Sequence, residues 1–403
     1  MSKNNRLMII SIISAILIFV IMVYYFCVGE QIGTDMAVHA QAALDLRTIK
    51  ELGIFQAVHN TKYMAMWNYP IWHISYLLFH GIVRSQEFAL GLNNALYITG
   101  TYLITIGVFN RYIEKGIKKR NPYISVILAI IMIFVGPLYW SIISNDYYLG
   151  QFTANPWHNP TIIAIKPFAI IIFYMYYEFT LKNSTWSNKK KYCMTTFLMI
   201  LMSISAFAKP NFYQVFIPTM AAFCIISLYK NFKKSIQLCV CSFLIVLPVL
   251  MIMVVQFALA IRGAKGGIGI ELFKVWHAYG EHLLGSLLLS ILFPIIVLYS
   301  NRKKINRLLL LSWILFISAL SQFCLFYLKR GYYTGDFIWG VYLATAILFI
   351  TSIINFINQK NKSKIYLYGG SIILALHTLC GLIYWVGIYV KLDFRIPLFW
   401  FLE

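Results

Sequence analysis

LMIISIISAILIFVIMVYYFCV (7–28) is an unbroken apolar stretch near the start of the chain. About 20 apolar residues are enough for a helix to cross the hydrocarbon core of a bilayer, and this stretch reaches that length. A basic segment precedes it, as in a signal peptide, but the apolar run is long and no small-x-small cleavage site follows. The stretch therefore predicts a retained membrane helix.

Similar apolar runs follow along the rest of the sequence, which is 60% hydrophobic and only 12% charged over 403 residues. No polar stretch is long enough to form a separate soluble domain. We predict an all-α fold, a polytopic membrane helix bundle with about 11 transmembrane helices. The predicted spans are 7–28, 90–110, 124–143, 161–181, 193–208, 214–229, 235–261, 282–299, 307–328, 336–357 and 365–390.

Lys and Arg are distributed unevenly between the two sides of these spans. With a cytoplasmic amino terminus, the inner segments hold 21 of the 34 basic residues and two of the 13 acidic residues. Positive charge collects on the cytoplasmic side of membrane proteins, so we predict this orientation and an extracytoplasmic carboxyl terminus. The net charge of +21 then reports orientation, and we expect a lipid bilayer rather than nucleic acid as a partner.

The first outer loop, residues 29–89, is the main polar segment of the sequence. It contains the acidic motif GTDMAVH (33–39) and the aromatic, proline-marked segment NYPIWHISYLLFHG (68–81). The apolar part, 71–83, is too short to span, so we predict a juxtamembrane or re-entrant helix packed on protein. Polar residues among apolar helices are costly unless they serve a function, and this loop is where chemistry is expected.

The order of these elements resembles the amino-terminal module of GT-C superfamily glycosyltransferases, such as the aminoarabinose transferases and protein mannosyltransferases. In that family, an acidic residue early in the first outer loop is followed by a Pro-aromatic helix and a link into the next span. The resemblance divides the chain into a GT-C-like module, 1–110, and a remaining transmembrane bundle, 111–403. It implies an integral membrane glycosyltransferase that transfers a sugar from a polyprenyl-phosphate-linked donor to a cell-surface glycan or lipid acceptor on the outer face.

Such a transfer needs a base near the acceptor hydroxyl and positive charge near the departing phosphate. The resemblance implies that Asp35 is the catalytic base, at the start of a predicted helix, 36–52. A purely structural alternative is that Thr34 or Asp35 caps this helix. Many relatives carry paired acids where this chain has Asp35 and Met36, so the need for a divalent cation stays open. The WWDYG signature and soluble carboxyl-terminal domain of oligosaccharyltransferases are absent from the sequence, which argues against protein N-glycosylation.

Basic residues near the outer ends of spans are the candidates for binding the donor phosphate. Lys166 and Lys209 are each followed by proline, which bends a helix and frees a backbone carbonyl. The late outer loops add cationic side chains, of which Arg330 is our preferred phosphate ligand because its planar fork suits phosphate oxygens. The alternative role for these residues is contact with lipid headgroups. The predicted donor-binding residues are Arg330, Lys209, Lys166, Arg262 and Lys329.

Aromatic, amide and imidazole side chains of the outer loops are the candidates for contacts with sugar or acceptor. One group lies in the first loop, where His39 follows Asp35 by one helical turn. Another ends the second outer loop, before a span whose N-terminal N–H groups favour sugar or phosphate oxygens. Interface aromatics and an Asn-Pro-Thr helix start explain the same residues structurally. The predicted acceptor or sugar contacts are His39, Tyr69, His73, Trp157, His158 and Asn159.

Two other functions remain open at this stage. O-antigen or capsule polymerases are similarly polytopic, have basic outer loops and use repeat units carried on polyprenyl diphosphate. A transporter or lipid-linked glycan flippase is the second alternative, although no internal repeat is visible. The sequence has no glycine-rich phosphate loop and no CxxC pair, so we predict no zinc site and no nucleotide cofactor, and we assign no residue as a metal ligand. The abundance of Ile, Lys, Asn and Tyr indicates a bacterial plasma membrane.

Overall fold

The computed structural model describes residues 3–28, 35–45, 68–140, 143, 150–183, 185–262, 267–329, 335–359 and 363–391. Helices dominate these residues. In chain order they are α1 (Lys3–Val28), α2 (Asp35–Asp45), α3 (Ile71–Val83), α4 (Gln86–Tyr112), α5 (Lys115–Arg120), α6 (Ile124–Phe134), α7 (Pro160–Lys182), α8 (Asn188–Ala206), α9 (Asn211–Lys230), α10 (Phe232–Arg262), α11 (Lys274–His277), α12 (Leu283–Ser300), α13 (Arg307–Leu325), α14 (Ile338–Asn358) and α15 (Lys364–Lys391).

Eight of the described helices are long and apolar enough to cross a membrane: α1, α7, α9, α10, α12, α13, α14 and α15. They lie where the apolar runs predict spans, which confirms a multi-pass membrane protein. The other three predicted spans coincide with helices α4, α6 and α8, which fall outside this set. The prediction of a helical fold is thus confirmed, and within the described part of the chain eight helices have the length and composition of a span.

Helix α14 forms the centre of the bundle. Its side chains are buried continuously from Ile338 to Phe356. It packs against α7, α9, α12 and α13, whereas α1 lies at the periphery with most of its apolar surface exposed. A helix that is apolar and buried on all sides belongs to the interior of a large bundle, and one with an exposed apolar surface faces lipid.

Helices α1 and α4 approach closely because α4 has a glycine at the crossing. A Cβ atom on Gly91 would lie 2.5 Å from Cys27 Sγ and 2.8 Å from the Val23 carbonyl oxygen. On another side of α4, the short helix α3 is held by polar bonds: Trp72 Nε1 donates to Asn94 Oδ1 over 3.0 Å. Helix α3 has 13 residues and packs on protein, in agreement with the prediction of a short non-spanning helix.

Helix α6 is shorter than predicted, since the apolar run predicted a helix over 124–143 and the observed helix ends at Phe134. Gly136 and Pro137 follow, and the Gly136 N–H donates to the His377 carbonyl over 3.0 Å instead of continuing the helix. His377 Nδ1 lies 2.7 Å from the Gly136 carbonyl, and the Phe293 N–H donates to His377 Nε2 over 3.5 Å. Helix α12 is kinked at Ile291, close to Phe293. His377 therefore contacts both the end of α6 and the kink of α12, which accounts for a histidine inside a predicted span.

A small antiparallel sheet adds to the predicted all-α architecture. Strand β1 (Ile268–Ile270) pairs with β2 (Phe326–Leu328), so the two late outer loops meet. Gly269 has no room for a side chain, because a Cβ there would lie 2.2 Å from the ring of Tyr327. Sequence periodicity missed these strands because each has three residues and the pairing joins distant segments.

Candidate functional site

Asp35, the first residue of α2, lies against the start of α7. Its Oδ2 accepts a 2.5 Å hydrogen bond from Asn159 Nδ2. Asn159 is the N-cap of α7, where its Oδ1 accepts from the Ile162 N–H over 3.0 Å, and Pro160 is the first helical residue. Asn at the N-cap and Pro directly after it are both favoured choices, so local rules fix the position of Asn159. Its amide nitrogen is then directed to Asp35.

Lys209 lies in the short connection between α8 and α9 and is 5% exposed. Its Nζ donates to Thr161 Oγ1 over 2.8 Å and to Asn159 Oδ1 over 3.2 Å. The ammonium group also lies over the ring of Trp339, 4.5 Å from its centroid, a cation–π contact. Asn159 therefore connects Asp35 to Lys209. We call Asp35, Asn159, Thr161 and Lys209 the polar cluster.

Burial changes the acid–base properties of both charged members of the polar cluster. It raises the pKa of the Asp35 carboxyl, against the opposing effects of Lys209 and of the Asn159 hydrogen bond. It lowers the pKa of Lys209 to about 8, against the stabilising charges of Asp35 and Asp336. Asp35 is consequently a stronger base than an exposed aspartate, and Lys209 titrates close to physiological pH.

Asp336 is a second acid near Lys209 that sequence analysis missed. It acts electrostatically on Lys209 and on Tyr69, and its carbonyl accepts a 3.0 Å hydrogen bond from Asn211 Nδ2. One signal was present in the sequence, because TGDF (334–337) places an acid directly before an apolar run, as GTDM (33–36) places one at the start of a helix. Nothing local showed that the two acids approach the same lysine.

Two of the predicted histidines form a buried pair beside the polar cluster. His39 Nδ1 lies 2.9 Å from His73 Nε2, and His73 Nδ1 lies 3.2 Å from the carbonyl oxygen of Tyr69. A carbonyl only accepts, so His73 carries its proton on Nδ1 and His39 donates from Nδ1. Burial lowers the pKa of His73 to about 4 and the pKa of His39 well below its usual value. Both imidazoles are therefore neutral at pH 7, and the pair orients the two rings.

A cavity of about 530 Å³ opens beside the polar cluster. Its polar lining comes from the first loop, from the start of α9 and from the start of α14, in addition to Gln256 of α10. Gln256 Nε2 donates to the Ala206 carbonyl over 3.1 Å, which leaves it fixed in the wall. The polar lining residues are Asn68, Tyr69, Lys209, Asn211, Gln214, Gln256, Asp336 and Trp339.

The opposite wall of this cavity is apolar and reaches the lipid-facing surface. It is built mainly by one side of α10, with Leu250, Met253, Val254 and Phe257. Val254 lines the cavity and is also 66% exposed on an apolar helix. The cavity thus joins a charged, hydrogen-bonding end to a side that meets the hydrocarbon region, an arrangement that accommodates a ligand with a polar head and an apolar chain.

The second outer loop contributes its three predicted contact residues unequally. Asn159 belongs to the polar cluster. Trp157 is buried against Tyr25, with ring centroids 6.5 Å apart, and lines a different cavity. His158 is buried, lies 3.5 Å from the Tyr384 hydroxyl, and has its pKa lowered to about 3 by burial and by Lys209. Trp157 and His158 thus support the loop from the core, and their contact with sugar stays a prediction.

Lys166 is separated from the polar cluster. Its Nζ donates to the Ala154 carbonyl over 2.8 Å and also to Asn155 Oδ1, so it ties α7 to the loop that precedes it. It lines a small cavity of about 40 Å³ together with Trp157. The structure therefore gives Lys166 a role in fixing this loop. Of the two Lys-Pro pairs, the lysine of the second, Lys209, is connected to Asp35 through Asn159.

The late basic residues are described in part. Arg330 lies outside the described residues, and for Arg262 the structure gives the helical backbone at the end of α10 without its side chain. Lys329 is exposed, and its N–H donates to the Gly267 carbonyl over 3.0 Å. Gly267 and Leu328 line the large cavity, so Lys329 is adjacent in sequence to its rim. The predicted donor contacts by these three residues stay predictions.

The site thus combines a carboxylate of raised basicity, a buried ammonium group and a cavity with one polar and one apolar side. Among the described residues, no group of three or more His, Cys, Asp and Glu side chains is arranged to hold a metal ion. Comparisons of the chain with models of protein families, with curated proteins and with solved structures found no match.

Proposed function

We propose that this chain is an integral membrane glycosyltransferase that transfers a sugar from a polyprenyl-phosphate-linked donor to a glycan or lipid acceptor on the outer face of the membrane. The observation that carries the proposal is the polar cluster, in which Asn159 joins the Asp35 carboxylate to the Lys209 ammonium. Lys209 of this cluster lines a cavity whose other side is apolar and exposed on the surface of α10. A phosphate-linked sugar on a long apolar chain has the matching chemistry at both ends.

Asp35 has the properties that the base requires. Burial raises the pKa of its carboxyl, so the carboxylate takes a proton more readily than an exposed aspartate. In the proposed step the acceptor hydroxyl oxygen forms a bond to the anomeric carbon of the sugar while Asp35 takes the hydroxyl proton. The bond between the anomeric carbon and the phosphate oxygen breaks, and its electron pair leaves with the lipid phosphate.

Lys209 has the position and charge to stabilise that phosphate. Its ammonium is buried beside the cavity, where a charge acts more strongly than in water. Because phosphate is a good leaving group, its departure needs no proton donor, and a positive charge that stabilises the departing phosphate is sufficient. Trp339, against which Lys209 lies, lines the same cavity and offers an aromatic face to a sugar ring. Charge stabilisation and sugar contact would then come from adjacent residues.

The proposal includes a membrane topology. Helices α4, α6 and α8 complete an arrangement of about 11 spans, with α6 continued by the extended residues after Phe134. The distribution of basic residues favours a cytoplasmic amino terminus, and in that orientation the polar cluster faces outwards, where a lipid-linked donor is met. A bacterial plasma membrane of GT-C type is the setting that the sequence resemblance and the composition favour.

The decisive experiment compares the wild type with Asp35→Asn and with Asp45→Asn in liposomes that contain radiolabelled polyprenyl-phosphate sugars. Asp45 is the matched control because it lies at the other end of α2 and accepts a hydrogen bond from Gln41. We expect transfer by the wild type and by the control, and a loss of about 100-fold or more in Asp35→Asn, the usual cost of removing a general base. Thermal unfolding and donor binding verify that each variant is folded.

Two results would contradict the proposal in different ways. Equal transfer by Asp35→Asn and the wild type would leave Asp35 as a helix-start residue without a catalytic role. If no monosaccharide donor is used, the same proteins are tested with repeat units on polyprenyl diphosphate. Turnover of those substrates alone would replace the single-sugar transferase with a polymerase, and net movement of a lipid-linked glycan without bond formation would identify a flippase.

A further inference from the structure

A second cavity, of about 230 Å³, lies at the opposite end of the bundle from the polar cluster. The last turns of α7 and α9 and the first turns of α10 and α13 surround it. Helix α7 begins at the polar cluster and ends here, and its 23 residues extend about 34 Å, close to the thickness of a bilayer core. The two cavities therefore lie on opposite sides of the membrane. We call this one the basic cavity.

Three cationic side chains converge on the basic cavity from three helices. They are Lys230 at the end of α9, Lys234 in the first turn of α10 and Arg307 at the start of α13. None of the residues that line the cavity is acidic. Glu178, an acidic residue near the end of α7, forms salt bridges with Arg111 and Lys182 instead. The positive charge of the cavity is thus left for an anion to neutralise, and the exposure of the three cations places the opening at the protein surface.

The neutral lining also indicates a hydrogen-bonding ligand. Asn183 is only 4% exposed, and its Oδ1 has no hydrogen-bond partner among the described residues. An unpaired buried acceptor costs about 1–3 kcal/mol, so a donor in the cavity would lower the free energy of the folded state. Helices α10 and α13 begin at this cavity, and the partial positive charge of their N-termini adds to that of the side chains. An anion that also carries a hydroxyl or N–H donor meets both requirements.

We propose that the basic cavity binds a phosphate ester that carries a free hydroxyl group, with Lys230, Lys234 and Arg307 on the phosphate and Asn183 on the hydroxyl. Glycerol phosphate has this chemistry, either as the headgroup of a phosphatidylglycerol lipid or as the free molecule. The site is independent of sugar transfer, since its residues lie a membrane thickness away from Asp35. Its occupant would link α7, α9, α10 and α13, and thereby stabilise the end of the bundle opposite the catalytic end.

The test measures binding to the full chain, purified in a neutral detergent, by calorimetry and by thermal unfolding. Three probes are titrated: short-chain phosphatidylglycerol, glycerol 3-phosphate and short-chain phosphatidylcholine as the lipid without net charge. We expect saturable binding of at least one glycerol phosphate probe and a higher unfolding temperature at saturation. Binding of the lipid alone identifies a membrane lipid as the ligand, whereas binding of both anionic probes identifies the headgroup as sufficient. Absence of binding by both overturns the proposal.

Variants separate the basic cavity from general attraction between charges. The triple variant Lys230→Gln, Lys234→Gln, Arg307→Gln should bind about tenfold or more weakly, since each basic residue near a membrane surface contributes substantially to binding of anionic lipid. The control variant Arg302→Gln, Lys303→Gln, Lys304→Gln removes the same charges from an exposed turn outside the cavity lining. Equal losses in the two triple variants would overturn the proposal. Asn183→Leu gives a second readout, with weaker binding and no loss of stability in the absence of ligand.

Discussion

Asn159 donates a 2.5 Å hydrogen bond to the carboxylate of Asp35, although the two residues are 124 positions apart in the sequence. The same amide group accepts from Lys209 through its oxygen. A residue whose local role is to begin α7 therefore sets the distance between an acid and a base. The Asn159 side chain thus has a structural role as the N-cap of α7 and a proposed role in positioning Asp35 and Lys209. An experiment must separate the two roles.

Asn159→Asp separates them, because Asp is as good an N-cap as Asn but its carboxylate cannot donate to Asp35. Helix α7 should keep its first-turn bond to the Ile162 N–H. The added negative charge beside Asp35 should raise the pKa of its carboxyl further. We expect transfer at pH 7 to fall and the acid side of the pH profile to move to higher pH. The measurement is kcat/KM against pH for the wild type and the variant.

The matched control for this prediction is Asn306→Asp at the start of α13. Asn306 is also an N-cap, with its Oδ1 accepting from the Leu309 N–H over 2.9 Å, and its amide nitrogen also donates to another side chain, that of Asn355. It lies at the other end of the bundle from Asp35. A similar change in the pH profile of Asn306→Asp would show that altered stability, and not Asp35, causes the effect.

The alkaline side of the pH profile should report Lys209. The pKa of its ammonium is about 8, so its positive charge is present below that pH and is lost as the pH rises through it. Transfer should therefore decline near pH 8 in the wild type, and Lys209→Arg should remove the decline because arginine stays protonated. Lys182→Arg, at the far end of α7, should keep it. A decline that persists in Lys209→Arg would assign the titration to another group.

Asp336 should tune the same titration without being the base. Its negative charge favours the protonated form of Lys209. Asp336→Asn should lower the pKa of Lys209, by up to about 1 unit, and move the alkaline decline to lower pH while leaving the acid side unchanged. The comparison is with Asp45→Asn, which removes a negative charge from α2 away from Lys209. An unchanged alkaline decline in Asp336→Asn would exclude this electrostatic role.

The residues of the polar cluster differ in how far the sequence could predict them. Asp35 stood out through the family resemblance of the first outer loop, and Lys209 because a charged residue near a span end is costly. Asn159 stood out because Asn-Pro is a helix-start signal. Their meeting depends on how α2, α7 and the connection after α8 pack, and no local pattern contains that information. Asp336 was missed for the same reason, since its significance comes from its proximity to Lys209.

The membrane helices follow from sequence because their signal is local: apolar length and basic ends determine them. The end of α6 shows where this signal fails. Residues 135–143 are apolar enough for a span, but the chain leaves the helix after Phe134. The Gly136 N–H then donates to the His377 carbonyl, and the Leu138 N–H donates to the Leu289 carbonyl of α12. Distant partners satisfy the backbone groups that the break exposes to apolar surroundings. Hydropathy does not predict these partners, so it does not predict the break.

The contact between α1 and α4 gives a prediction on stability that is independent of catalysis. Gly91→Ala would place a methyl group 2.5 Å from Cys27 Sγ and 2.8 Å from a backbone oxygen of α1, so the helices must separate. We expect a loss of about 1–3 kcal/mol, the usual cost of overpacking. Gly100→Ala on the same helix meets no atom within 4 Å and should gain about 0.5–1 kcal/mol from helix propensity. The two thermal unfolding midpoints should thus move in opposite directions. A common direction would show that Gly91 is not a packing contact.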